Sequence, residues 1–249
     1  MPATNRLTTK DQWTQQGDGF QFKKHGQHSV KELINQYIPA TQEGTCLEIG
    51  SFPGPFLAAF GDLGYTLNGI DFNPANAHAL PDWLKREGYK VNEFIAEDYF
   101  NYQTTSRYDV VGSFGFIEHF IDYEAVVASH AKLVDAGGYL IITTPNFRGS
   151  IQRWLHGTYD RYNLSLHNLE SMQPARWKKQ LEEAGFEVMF AGYLGGFQFW
   201  RGYESLQGLK KISLWVIWRI ISRLNKLLWF ESAAFSAYCG IVAKRKKVS

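Results

Sequence analysis

Five places in the chain collect residues able to do chemistry. Glu48 opens the run Glu48-Ile-Gly-Ser-Phe-Pro-Gly54, which holds Gly50, Ser51 and Gly54. Asp71 is followed by Phe72, and Asp98 by Tyr99. Ser113 and Phe114 lead into Glu118 and His119, and His167 stands further on, between Leu166 and Pro174. Carboxylates accept hydrogen bonds, histidines exchange protons near neutral pH, and glycines allow a backbone to approach a ligand closely. Taken singly, an aspartate after a strand is most often a turn or cap residue. Glu118 also suits a helix start, where an acid favours the dipole. The argument therefore rests on order: the first four places each follow a short apolar run.

Those runs are the elements that must position the residues. Strands are expected at 45–50, 65–71, 91–96, 108–113, 138–144, 186–191 and 235–243, and helices at 29–37, 56–60, 75–87, 123–133 and 174–184. Alternation of this kind builds a mostly parallel sheet covered by helices on both faces. Ligands of open α/β sheets sit outside the carboxyl ends of the strands. Glu48 to Gly54, Asp71, Asp98 and Ser113 to His119 all fall at such ends.

In these motifs the sequence resembles the class I S-adenosylmethionine (SAM)-dependent methyltransferases. The matching pieces are Leu47-Glu-Ile-Gly with Gly54, Gly69-Ile-Asp71, Glu97-Asp98, Tyr108-Asp-Val-Val with Glu118-His119, and Gly137-Gly-Tyr-Leu-Ile-Ile-Thr-Thr-Pro-Asn146. They cover roughly residues 45–190. The resemblance implies a Rossmann-like, doubly wound α/β fold. Its seven-stranded sheet would be mostly parallel, with an antiparallel last strand and a helical insertion before it.

The resemblance also assigns roles. Gly50 and Gly54 would let the backbone pass close to SAM, with Ser51 in the same turn. Glu48 would hold the amino end of the methionine part, and Asp71 would accept from both ribose hydroxyls, since a carboxylate accepts twice and donates nothing. Asp98 would accept from the adenine amino group, Phe72 and Tyr99 would border the adenine, and Ser113 and Phe114 would lie beside the methionine. Where the family has glycine in its first turn, this chain has Phe52. Phe52 and Pro55 also spoil the Gly-x-Gly-x-x-Gly pattern of a pyrophosphate site, which disfavours a nicotinamide enzyme.

The resemblance points to an enzyme that methylates a hydroxyl of a small molecule, with a sugar or polysaccharide precursor as the suggested acceptor. A hydroxyl nucleophile benefits from a base, and His167 and His119 are the candidates. Asp160 and, in the N-terminal segment, His25 and His28 stand behind them. Residues 146–173 form the expected acceptor region. There Arg148, Arg153, Trp154, Tyr159, Asp160, Arg161 and Tyr162 combine aromatic and hydrogen-bonding groups suited to a polar ring. The alternatives are a non-catalytic SAM-binding protein and a membrane-surface interaction protein.

Composition sets the remaining bounds. The 249 residues carry 26 basic and 24 acidic side chains, a net charge of +2, so no nucleic-acid partner is expected. Cys46 and Cys239 are the two cysteines, too few for a disulfide framework or paired-cysteine metal spacing. No metal ligand is assigned. The opening Met1-Pro-Ala-Thr-Asn-Arg6 has no apolar run, so no secretory leader is expected, and the cytoplasm is the default setting.

Residues 1–45 are expected to close over the cofactor, and 46–249 to form the SAM-binding domain with an amphipathic insertion at 205–231. Within 209–230, Lys211, Arg219, Arg223 and Lys226 recur at helical spacing among Trp215, Trp218, Trp229 and many Ile and Leu residues. Such a surface has to cover something. The protein's own sheet edge or acceptor pocket, a homodimer partner, and a lipid surface with a lipid-linked acceptor at the inner membrane face all stay open.

Overall fold

The computed structural model describes residues 5–14, 21–199, 208–224 and 230–247. Its frame is a seven-stranded sheet in the order β3-β2-β1-β4-β5-β7-β6. The strands are β1 (Thr45–Ile49), β2 (Thr66–Asp71), β3 (Val91–Ala96), β4 (Tyr108–Phe114), β5 (Val134–Pro145), β6 (Phe186–Phe197) and β7 (Ser236–Arg245). Pairing is parallel from β3 through β5, and β7 runs antiparallel between β5 and β6. This is the expected Rossmann-like arrangement.

Central strands are covered on both faces, so their residues are apolar almost without alternation. In β1, Cys46, Leu47 and Ile49 are all buried. One face packs α2 (Ser29–Tyr37), α3 (Pro55–Asp62) and α4 (Ala79–Arg86), and the other packs α5 (Tyr123–Lys132) and α8 (Pro174–Glu183). Pro55 opens α3 at its first turn, where the missing N–H costs nothing. The chain order reverses between β1 and β4, which opens a crevice at their carboxyl ends.

Local details depart from the sequence-based reading. Residues 75–87 do not form one helix: Pro74–Asn76 is a single 3-10 turn, capped by the Asn73 side chain, and α4 begins only at Ala79. β5 and β6 extend well beyond the apolar runs that marked them, because both pair with the long β7. Residues 146–173 contain α6 (Ser150–Tyr159) and α7 (Arg161–Ser165). A short α1 (Lys10–Thr14) precedes the domain.

The insertion before β7 is α9 (Gly208–Leu224). Among its described side chains it buries Leu214 and Ile221, against Leu155, Tyr159, Phe197 and Phe235. Leu209, Ile212, Trp215, Val216, Trp218, Ile220 and Leu224 are exposed. Lys226 and Trp229 lie outside the described residues. No described helix is long and apolar enough to cross a membrane.

Candidate active site

A cavity of about 650 Å³, counting its part open to solvent, lies at the carboxyl ends of β1, β2, β3 and β4. Gly50, Asp71, Phe72, Asp98, Tyr99, Phe114 and His119 all line it, together with Phe116 and Phe120. Four strand ends spread along the sequence from Ile49 to Phe114 are thus brought to one wall by parallel pairing.

Asp71 is held by its own turn. Its carboxylate accepts from the backbone N–H of Asn73 at 2.8 Å and of Phe52 at 3.3 Å. Burial nevertheless raises its pKa to about 6, with those two bonds opposing the shift. Glu48 lies behind this wall, 2% exposed, and its Oε2 has no hydrogen-bond partner among the described residues. Burial, reinforced by the charge of Asp71, pushes the Glu48 carboxyl well above its usual range. A buried acid in that state gains from a cationic partner.

Gly50 has φ +76°, and a Cβ there would stand 2.8 Å from Phe116 Cδ2. Glycine is therefore required by conformation and by space on the cavity wall. Gly54 also has a positive φ, +84°, but its added Cβ would strike Leu80 Cδ1 at 2.4 Å. Its glycine serves helix packing rather than ligand approach. Ser51 is another correction: it is fully buried and donates to Asn76 Oδ1 at 2.7 Å, which ties the first turn to the turn after β2. Ser113 is likewise fully buried, its Oγ 3.2 Å from His130 Nε2. Neither serine side chain lines the cavity, whereas Phe114 does. Tyr99 borders the cavity with its ring and donates its hydroxyl to Ser129 Oγ at 3.0 Å.

Arg6 is a participant that sequence reasoning misses. Its guanidinium is ion-paired with Asp98 and lies 4.4 Å from the centre of the Phe72 ring. Arg6, Thr8 and Trp13 all line the cavity. Their segment is fixed by backbone bonds, Leu7 N–H to His119 O and Ile121 N–H to Asn5 O, both 2.9 Å. Arg6 is separated from Asp98 by 92 residues, so no local spacing signals the pair.

His119 is 6% exposed, with Trp13 against it edge-on at 4.8 Å between ring centres and the His167 ring at 4.7 Å. Burial lowers the His119 pKa to about 3 and that of His167 to about 4. His167 sits behind His119 and does not line the cavity. His25 and His28 are elsewhere: they stack on one another and on Phe56, and His28 caps α2. The proposed acceptor residues also diverge. Trp154 and Tyr162 are exposed, Arg148 faces Glu170 at 4.0 Å, and Asp160 is buried beside His156.

A family model described as a methyltransferase domain matches residues 22–189, about two thirds of the chain. The chain belongs to this family, the class I methyltransferases. The ubiquinone biosynthesis O-methyltransferase of Thiobacillus denitrificans (strain ATCC 25259 / T1) is 28% identical to this methyltransferase over 149 residues, 57% of this chain and 64% of that protein. The match therefore spans less than two thirds of the relative's length. Among solved structures, a protein of Bacillus halodurans C-125, provisionally assigned as a methyltransferase, has the same fold. It superposes with a TM-score of 0.62 at 16% identity, covering 87% of this chain and 99% of that one. Coclaurine N-methyltransferase bound to N-methylheliamine and S-adenosylhomocysteine (SAH) superposes with a TM-score of 0.59 at 12% identity, covering 90% and 76%.

SAM is the cofactor of this class, and the residues present fit it. Asp71 offers a carboxylate to a diol, Glu48 a buried acid behind the wall whose Oε2 has no hydrogen-bond partner among the described residues and could take a cationic amino group, and Phe72, Tyr99 and Phe114 apolar walls for flat or aliphatic parts.

Proposed function

We propose that this methyltransferase transfers a methyl group to a hydroxyl of a small, ring-bearing acceptor. SAM supplies an electrophilic methyl carbon on a sulfonium. The chain's own residues have to align the acceptor oxygen and exclude water, which is where most of the rate arises in a displacement of this type. The observation that carries the reading is the position of His119. It shares a cavity with Asp71 and Asp98 and is flanked by Trp13, Phe116 and Phe120, a polar atom set among rings. His119 would meet the acceptor hydroxyl, and His167 would orient His119 from behind. A saccharide would look for aromatic and basic partners such as Trp154, Tyr162 and Arg148, which are exposed and do not line this cavity. A phenolic or other hydroxylated ring with an apolar part suits the walls better. The test is methyl transfer from labelled SAM to a panel of catechols, simple phenols, sugars and amines. Label on a ring hydroxyl supports the proposal; label only on amines or only on sugars overturns the acceptor class.

We further infer that the acceptor is met at a lipid surface through α9. The outward side of α9 carries Trp215, Trp218, Leu209 and Ile212 beside Lys211, Arg219 and Arg223, and the helix contains no acidic residue. Arg219 lies over the Trp215 ring at 4.6 Å. Apolar and tryptophan side chains mixed with basic ones suit the headgroup boundary of an anionic bilayer. Co-sedimentation with anionic vesicles that is lost at high salt, and lost in Lys211→Glu/Arg219→Glu, is expected. Protein that stays in the supernatant but elutes as a dimer would show instead that α9 covers a second copy.

A further inference from the structure

Glu118, His119 and His167 each present one ligand atom within 4.8 Å of the others. They come from separate segments, the 3-10 turn Ile117–His119 after β4 and the loop after α7. The tautomers are set by the backbone. His119 Nδ1 is 3.0 Å from the Leu166 carbonyl and His167 Nδ1 is 2.6 Å from the Asn163 carbonyl. A carbonyl only accepts, so His167 Nδ1 carries the proton and its Nε2 keeps its lone pair, whereas the His119 ring is met by the carbonyls of both Leu166 and Gly115 and has to release one of them to ligate. Metal-binding histidines are oriented in this way.

Glu118 supplies a second, independent observation. It is 1% exposed, and its Oε2 has no hydrogen-bond partner among the described residues. An approaching cation would satisfy that oxygen.

We propose that Glu118, His119 and His167 form a site for one divalent first-row transition ion on the acceptor side of the cavity. Two imidazoles and one carboxylate leave coordination positions open. Mg²⁺ prefers an all-oxygen shell, so this set selects ions such as Zn²⁺, Fe²⁺ or Co²⁺. Bonds of about 2.1 Å bring ligand atoms to roughly 3–3.4 Å of one another, so the ion draws the three side chains inward. Of the three residues His119 lines the cavity, so an open position on its side would be within reach of an acceptor.

What fills that position rests on the hydroxyl-acceptor reading above. An ion held there would supply Lewis acidity to the acceptor hydroxyl, whose proton would leave to bulk water. A bound ion of this kind brings the pKa of water down to about 7.

The test is a titration of the full-length, chelator-stripped protein with Co²⁺, followed by visible d–d absorption, with Zn²⁺ and Mg²⁺ as competitors. One Co²⁺ per chain is expected, displaced by Zn²⁺ but not by millimolar Mg²⁺. His167→Ala and Glu118→Gln should each weaken Co²⁺ binding at least tenfold while SAH affinity stays within twofold. If His167→Ala loses SAH binding, the milder His167→Gln takes its place in the comparison. No stoichiometric Co²⁺ uptake by the wild type, or unchanged Co²⁺ affinity in the His167 variant, overturns the site. Neither readout needs an acceptor, so failure of O-methylation and failure of the metal site are separately visible.

Discussion

Arg6 is paired with Asp98 and packed over Phe72, the two residues assigned to the adenine amino group and the adenine face. The side chains of the pair are only 13% and 18% exposed, so the contact is largely shielded from water. For adenine to reach Asp98, Arg6 has to give up that contact. A hydrogen bond to a charged group is worth about 1.5–3 kcal/mol. Arg6→Ala is therefore expected to tighten SAH binding by on the order of tenfold, measured by calorimetry. Weaker binding in Arg6→Ala would mean that Arg6 holds the cofactor instead of competing with it.

Asp71 is expected to make cofactor affinity depend on pH. Its folded pKa is raised to about 6 by burial, and a ribose diol needs the ionised carboxylate as acceptor. Affinity should be flat above pH 7 and about tenfold weaker at pH 5. The stability sign is opposite. With its pKa raised above the ordinary 3.8, the folded state holds this proton more tightly, so stability falls as pH rises from about 4 to 6. Asp71→Asn should melt higher than wild type at pH 7 in the absence of ligand, and should lose the pH step in SAH affinity.

The two positive-φ glycines of the first turn should separate by readout. Gly50→Ala puts a Cβ against Phe116 on the cavity wall, so it should weaken SAH binding more than it lowers the melting temperature. Gly54→Ala collides with Leu80 inside the α3–α4 packing, so its main effect should be on melting temperature. Equal loss of SAH affinity in folded samples of both variants would contradict the division.

Much of the frame was legible because parallel strands of an α/β domain are short apolar runs with chemistry at one end. Asp71, Phe72, Asp98, Tyr99, Phe114, Gly50 and His119 lie on one cavity for that reason. The reading erred where a polar residue met a buried partner from another element. Ser51 is taken by Asn76 and Ser113 by His130, and neither partner is near in sequence. Arg6 escaped because its partners are reached only after the N-terminal segment pairs with Phe120. Glu118 read as a helix-opening acid, whereas the structure buries it in a 3-10 turn ahead of α5.

His130 should govern part of the acid sensitivity. It is fully buried, with its pKa lowered to about 3. In the unfolded chain it titrates near 6.5, so between those values the unfolded state binds the extra proton and stability falls as pH falls. One such group contributes about 1.4 kcal/mol per pH unit in that window. Denaturant unfolding of His130→Gln between pH 4 and 6.5 should show a shallower slope by about that amount, whatever its effect on absolute stability. An unchanged slope would place the acid sensitivity elsewhere.

The most direct test of the account is calorimetric titration of the wild type and Asp71→Ala with SAH and with NADH at pH 7.5. The account predicts that the wild type binds SAH and not NADH. It also predicts that Asp71→Ala, still folded, loses about 1.5–3 kcal/mol, roughly ten- to a hundredfold in affinity. Tight NADH binding without SAH binding, or SAH binding unchanged by Asp71→Ala, would contradict it.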